Sequence, residues 1–227
     1  MPGSAQGSVA QTPHIGLAQL NALTYSGCDL EAPMHDPRFT QITALITRFG
    51  ALHYGEAVTQ LGHVLQCGQL AVNAGEDDAM IVAALLHDIG QFIDDAGNAA
   101  HAMGLDARHE IHGADYLTRW FGPEVTEPVR LHVAAKRYLC ATVPGYAGQM
   151  SGASQHSLTL QGGAMDAREI AAFTANPWFA TAVRLRHYDD GGKCVDWQVP
   201  DLASHHDRMV GVMKIGAIKV QATSCAT

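Results

Sequence analysis

The chain has no basic tract, and its 22 acidic residues outnumber its 14 lysines and arginines, for a formal net charge of −8. Nucleic acids and anionic membranes are both met by clustered Lys and Arg, so the composition argues against either partner. No apolar stretch approaches the ~18 residues of a membrane span. The opening, Met1 to Gln11, is small and polar, without the basic-then-apolar order of a signal peptide. There is no CxxC pair: Cys28, Cys67, Cys140, Cys194 and Cys225 are widely spaced and odd in number, which suits free thiols in a reducing cytoplasm. Internal repeats are absent and strand-like alternation is scarce, so the expectation is an all-α, cytoplasmic protein, a monomer or small homo-oligomer.

What the chain does have is histidine, 13 in 227 residues. The most informative stretch is Asp78 to Phe92, DAMIVAALLHDIGQF. Its unbroken apolar run from Met80 to Leu86 can only be buried, and it ends in His87-Asp88. An ionised carboxylate in a core is normally paired or bound to a metal, so the dipeptide points to a cation. Adjacent residues of a helix point about 100° apart, which lets one side chain serve one metal while the other reaches between two.

Apolar spacing predicts helices over Phe39 to Phe49, Glu56 to Asn73, Asp78 to Phe92, His109 to Phe121 and Val125 to Cys140. Further helices are expected over Asp166 to Thr174 and Pro177 to Tyr188, with a short piece over Leu202 to Ile215. Ile93 to Ala107 lacks a clean period and should be a surface loop or lid. Val143 to Ser154, with Pro144, Gly145, Gly148 and Gly152, should be a long connection, and SLTLQGG (Ser157 to Gly163) a turn. The expected organisation is an N-terminal arm over 1–38, a core over 39–195 and an extension over 196–227.

His63, His87, Asp88, His109, His132 and Asp189 each fall on or near the end of a predicted helix. Four histidines and two carboxylates exceed what one tetrahedral zinc takes, but suit two metals with a shared carboxylate, for which Asp88 is the natural bridge. Nitrogen and oxygen donors without thiolate favour iron, manganese or zinc. One such histidine alone would be an ordinary core residue. The His87-Asp88 pair behind an apolar run would not.

This ligand order resembles the HD-domain superfamily. HVAAKRYLC (His132 to Cys140), SLTLQGG and LRHYDD (Leu185 to Asp190) are more specifically similar to its phosphonate-cleaving diiron oxygenases, over about Phe39 to Lys193. The resemblance implies a single HD-domain helical bundle with the metal site at its centre. It implies two iron ions, mixed-valent Fe(II)/Fe(III), with O2 as co-substrate. One ion would take His63, His87 and Asp189, the other His109 and His132, and Asp88 would bridge. It further implies that Lys136, Arg186 and Ser157 hold the phosphonate, with Gln161 in the same motif. The expected reaction is carbon–phosphorus cleavage of a 1-hydroxy-2-(substituted amino)ethylphosphonate to phosphate and a carboxylate.

This chain departs from the family pattern at two positions. The family often has a Tyr three residues before a Glu, a pair that guards the open iron position. Here Glu56 fits, but His53 stands three before it and the tyrosine is Tyr54. Three residues after the bridging Asp, a phosphonate-contacting His is common, and here Gln91 can donate a neutral hydrogen bond but no charge. His112, three after His109, is an alternative ligand that the family register disfavours. The rival functions are a metal-dependent HD phosphohydrolase acting on a phosphate ester and a non-catalytic ligand-sensing HD domain.

Overall fold

The computed structural model describes residues 36–53, 56–93 and 104–214. The expected N-terminal arm up to residue 35, Tyr54, most of the expected loop from Ile93 to Ala107, and the end of the tail lie outside the described residues. Those described form an all-α bundle; their one β feature is an isolated antiparallel bridge between Phe121 and Met213. None of their helices is long and apolar enough to cross a membrane.

Helix α1 spans Pro37–Phe49, with Asp36 capping Arg38 N and Phe39, Ile42 and Ile46 turned inward. Helix α2 spans Gln60–Asn73. It starts four residues later than its apolar stripe suggested, because the Thr59 side chain accepts from Gly62 N and sets the N-cap there. Helix α3, Asp78–Leu86, opens on Asp77, whose side chain accepts from Met80 N. Every residue from Met80 to Leu86 is buried. The expected single helix to Phe92 is broken: α3 stops at Leu86, and a short α4, Ile89–Phe92, restarts beyond His87 and Asp88.

Helix α5, His109–Leu117, follows Arg108, whose φ of 46° lies in the left-handed region. Its close approach to α4 needs glycine on both sides: a Cβ on Gly90 would stand 2.0 Å from the His109 carbonyl oxygen and 2.8 Å from Gly113 N. Helix α6, Pro123–Thr142, is the longest among the described residues and packs along α3, α5 and the later α10. The expected long connection after it holds two helices, α7 (Tyr146–Gln149) and α8 (Gly152–Leu160), the second capped by Ser151 Oγ on Ser154 N. SLTL therefore closes a helix. Only QGG turns, with Gly162 and Gly163 at φ 92° and 73°, where a side chain would be strained.

Helix α9, Ala167–Thr174, carries a full Asp166/Glu169 capping box. Helix α10, Phe179–Gly191, runs three residues past the predicted end and so takes in Asp189. A 3-10 turn, Leu202–His205, and α11, His206–Gly211, pack back on the bundle. Lys214 N donates to the Trp120 carbonyl (2.7 Å) beside the bridge.

Candidate metal centre

Five segments bring the six candidate ligands together: α2 supplies His63, the α3–α4 break His87 and Asp88, α5 His109, α6 His132, and α10 Asp189. They form two histidine pairs. His63 Nε2 stands 3.2 Å from His87 Nε2, and His109 Nε2 stands 3.1 Å from His132 Nε2. Asp88 lies between the pairs and divides its oxygens: Oδ2 faces His63 (3.7 Å) and His87 (3.5 Å), while Oδ1 faces His109 (3.3 Å) and His132 (3.9 Å). Asp189 Oδ1 joins the first pair, 3.4 Å from His63 and 3.9 Å from His87. Donors each ~2.1 Å from one ion stand about 3 Å apart, so each pair has the spacing that one ion requires.

The tautomers test this fit. His63 Nδ1 donates to the Gly192 carbonyl (2.9 Å), His87 Nδ1 to Ala84 O (2.9 Å) and His132 Nδ1 to Val129 O (2.8 Å). A ring that donates through Nδ1 presents a lone pair at Nε2, which is the orienting arrangement of metal-bound imidazole. Two Nε2 lone pairs facing each other at 3.2 Å repel unless a cation stands between them.

Electrostatics agree. Burial lowers His87, and burial together with the neighbouring His109 and His87 pushes His132 down to about 3. Burial also opposes charge on His63 and His109, but Cys67 and Asp189 outweigh it at His63, Asp88 outweighs it at His109, and both are raised. Each pair thus holds a proton more tightly on one ring than on the other, at the point where a metal would displace it. Burial raises the two carboxyls as well, but His87 and His109 hold Asp88 well below its ordinary range, and Arg186 with His63 does so for Asp189. Both are the ionised donors that a metal takes.

A cavity of about 130 Å³ opens beside the cluster, lined in part by Gln91, Lys136, Ser157, Gln161 and Arg186. All the candidate substrate residues therefore reach it. Lys136 is buried and donates to Ser157 Oγ (2.8 Å). Burial, then Arg186, lowers it to about 8. Arg186 is more committed than its motif suggested: its guanidinium donates to Asp189 Oδ2 (2.5 Å), to Asp190 Oδ1 and, through Nε, to Tyr146 Oη (3.0 Å). Two of its five N–H donors tie Asp189 and Asp190 on α10, a third ties that helix to Tyr146 on α7, and Nη2 also faces Met150 Sδ (3.8 Å). Glu56 lines the cavity, whereas His53 is exposed and does not.

Sequence reasoning missed Lys193, Gln60, Ser154 and Cys67. Lys193 lines the cavity and stands four residues after Asp189, the same offset as Lys136 from His132; that repeat of a cation one turn past a ligand was the available signal. Lys193 was overlooked because it lies beyond the helix end, after Gly191-Gly192. Gly192 is glycine for packing reasons, since a Cβ there would meet Cys67 Sγ at 2.4 Å and the His63 carbonyl oxygen at 3.1 Å. Cys67 Sγ lies 3.7 Å from His63 Nδ1 and shares a cluster with His63 and His87.

A helical bundle with a buried His/Asp cluster at its centre defines an HD-domain protein, and the HD-domain profile matches residues 61–171. A hydroxymethylphosphonate dioxygenase of Gimesia maris is 45% identical over 182 residues, covering 79% of this chain and 90% of the relative. The glycine-betaine-forming [1-hydroxy-2-(trimethylamino)ethyl]phosphonate dioxygenase of Leisingera caerulea is 45% identical over 161 residues, 70% of this chain and 82% of the relative. An uncharacterised protein of Acanthamoeba polyphaga mimivirus is 34% identical over 172 residues, 74% of this chain and 78% of the relative. The chain belongs to the HD-domain family of phosphonate dioxygenases, and it is an oxygenase enzyme.

Proposed function

We propose that this enzyme, working in the cytoplasm through a catalytic core over residues 39–195, cleaves the carbon–phosphorus bond of a 1-hydroxyphosphonate with O2. The products are a carboxylate and inorganic phosphate. The observation that carries the reading is the division of Asp88 between two histidine pairs, which supports two metal ions rather than one. His63, His87 and Asp189 would hold one iron and His109 with His132 the other, with Asp88 shared.

The stoichiometry closes without an outside reductant. The carbinol C–H and C–P bonds break, the products gain the two atoms of one O2, and one proton is released. A carbon-bound hydrogen beside a hydroxyl and a phosphonate is not acidic enough for any side chain in the cavity. An iron pair supplies, when bound, the O2-binding position and the electrons for removing it.

The chain's own residues bind and orient. Lys136, paired only with a neutral hydroxyl among the described residues, suits a phosphonate oxygen, and Ser157 adds a second hydrogen bond by turning its hydroxyl away from the Ser154 carbonyl. A dianion beside Lys136 offsets the burial that favours its neutral form. Arg186 keeps Asp189 ionised and fixed, and adds positive field with the N–H groups it has left. Gln91 and Gln161 offer neutral contacts. Fixing the headgroup sets the carbinol carbon against the metal side of the cavity.

Anaerobic metal analysis and paramagnetic resonance of the freshly isolated enzyme test the reading, together with phosphate release from a panel of 1-hydroxyphosphonates with and without O2. The expected result is two irons per chain, a mixed-valence signal and strictly O2-dependent phosphate. Phosphate released from phosphate esters without O2 would instead make the enzyme a hydrolase.

A further inference from the structure

Polar groups in the cavity form a continuous row. Lys136 Nζ donates to Ser157 Oγ (2.8 Å), which donates to the Ser154 carbonyl (3.1 Å). Ser154 Oγ accepts from Lys193 Nζ (2.9 Å), and Lys193 donates onward to Glu56 Oε1 (2.9 Å). The same Glu56 oxygen accepts from Ser151 Oγ (2.6 Å). The side chains of Lys193 and Glu56 are only 17% and 14% exposed, so the pair is largely removed from water.

The other carboxylates of the described lining are accounted for. Asp88 and Asp189 belong to the histidine cluster, and Asp106 sits at the exposed rim, accepting from Arg108 N. Glu56 is therefore the one carboxylate of the described inner lining outside the cluster, and the chain neutralises it with its own lysine. Lys193, which also stands 4.0 Å from Asp189 Oδ1, already neutralises the Glu56 carboxylate, so a substrate ammonium placed there would meet little net negative charge. Among the described residues no Phe, Tyr or Trp lines the cavity, whereas recognition of a quaternary ammonium rests on the faces of such rings. The buried carbonyl oxygens of Gln60 and Gln161, both lining residues, have no hydrogen-bond partner and suit an uncharged hydroxyl donor.

Building on the proposed carbon–phosphorus cleavage, we propose that the Glu56–Lys193 pair determines substrate choice: the cavity takes 1-hydroxyphosphonates whose carbon carries no cationic substituent. Hydroxymethylphosphonate is the simplest. With it, HOCH2PO3(2−) and O2 give formate, HPO4(2−) and one proton, so atoms and charge balance. The 2-amino substituent expected from the sequence has no free counter-charge inside the described lining.

The test compares kcat/KM for O2-dependent phosphate release by the wild-type holoenzyme on hydroxymethylphosphonate, 2-amino-1-hydroxyethylphosphonate and the trimethylammonium analogue. Hydroxymethylphosphonate, which carries no ammonium group, should be preferred on the order of tenfold or more. Lys193→Met, with metal content matched to wild type, frees Glu56 and should erase that preference. Glu56→Gln removes the charge an ammonium could use and should keep it. Equal or better kcat/KM of the wild type on either aminated substrate overturns the inference and leaves carbon–phosphorus cleavage standing. An undiminished preference in metal-replete Lys193→Met overturns the role of the pair. Absence of phosphate from all three substrates overturns the proposed function and this inference with it.

Discussion

Replacing Arg186 with Met isolates what the arginine does for the ligand helix. The guanidinium is 3% exposed and lies between Asp189 (8%) and Asp190 (24%), within ion-pair distance of both. Methionine fills much of the same volume but leaves Asp190 without its cation and Asp189 with only Lys193 Nζ, 4.0 Å away, beside the histidines. Removing one partner of a buried pair costs roughly 3–5 kcal/mol, and the partial exposure of Asp190 puts the expected loss near the lower end. For a chain of this size ~1 kcal/mol shifts Tm by about 2–4 °C, so the metal-free variant should melt roughly 6–12 °C below the metal-free wild type. The pH dependence has a definite sign. Asp189 is held well below its ordinary 3.8 despite burial, chiefly by Arg186. The stability it contributes is therefore present above that ordinary value and is lost as pH falls through the lower folded value. The gap between the proteins should be level from pH 8 to 5 and close only below about 4. Urea unfolding of chelator-treated protein across that range measures it. Equal stability at pH 7 would refute the reasoning, and so would a gap that narrows between pH 8 and 6. The variant should also bind metal less tightly on the Asp189 side.

Asp88→Ala should lose both metals, and Asp88→Asn, which keeps one oxygen for one histidine pair, should retain at most one per chain; elemental analysis that finds two metals in the alanine variant would remove the bridging role. Gly90→Ala drives a Cβ to 2.0 Å from the His109 carbonyl oxygen and should destabilise by about 3 kcal/mol or more. Gly148→Ala, with nothing within 4 Å, should be neutral or stabilising by up to ~1 kcal/mol; thermal melts of the two give the contrast. Lys136, lowered to about 8 mainly by burial, loses its charge as pH rises, so kcat/KM for a phosphonate should fall above about pH 8. Lys136→Arg, which stays charged, should abolish that alkaline fall even if its rate is lower, and an unchanged pH profile would dismiss Lys136 as the headgroup cation.

Much of the bundle was legible because its helices declare themselves through local chemistry. Phe39, Ile42 and Ile46 are a helical stripe and are buried as one; Asp166 and Glu169 form the box their spacing implies. The reading failed where tertiary contacts decide. No glycine or proline between Met80 and Ile89 signals a break before Gly90. The helix nevertheless stops at His87-Asp88, where α4 is drawn against α5 through Gly90 and Gly113. SLTLQGG read as a turn because its two glycines dominate locally, yet a Ser151 cap six residues upstream makes its first half helical.

The same distinction separates the two halves of the site. The candidate metal ligands stand out in the sequence because burying a histidine or a carboxylate needs compensation that few partners supply, so His87-Asp88 behind an apolar run draws the eye. A cation that binds an anion does not, because a lysine on a helix is ordinarily solvated. Lys136 was singled out through its motif and Lys193 was not, although both line one cavity at the same offset from a candidate ligand. Which of them stays free for a substrate depends on a carboxylate far away in sequence. Glu56 lies 137 residues before Lys193, on the segment that leads into α2, and it quenches Lys193 while leaving Lys136 facing Ser157. The placement of net positive charge, and with it the end of the cavity where an anionic headgroup can sit, is thus a property of the folded pair rather than of either residue.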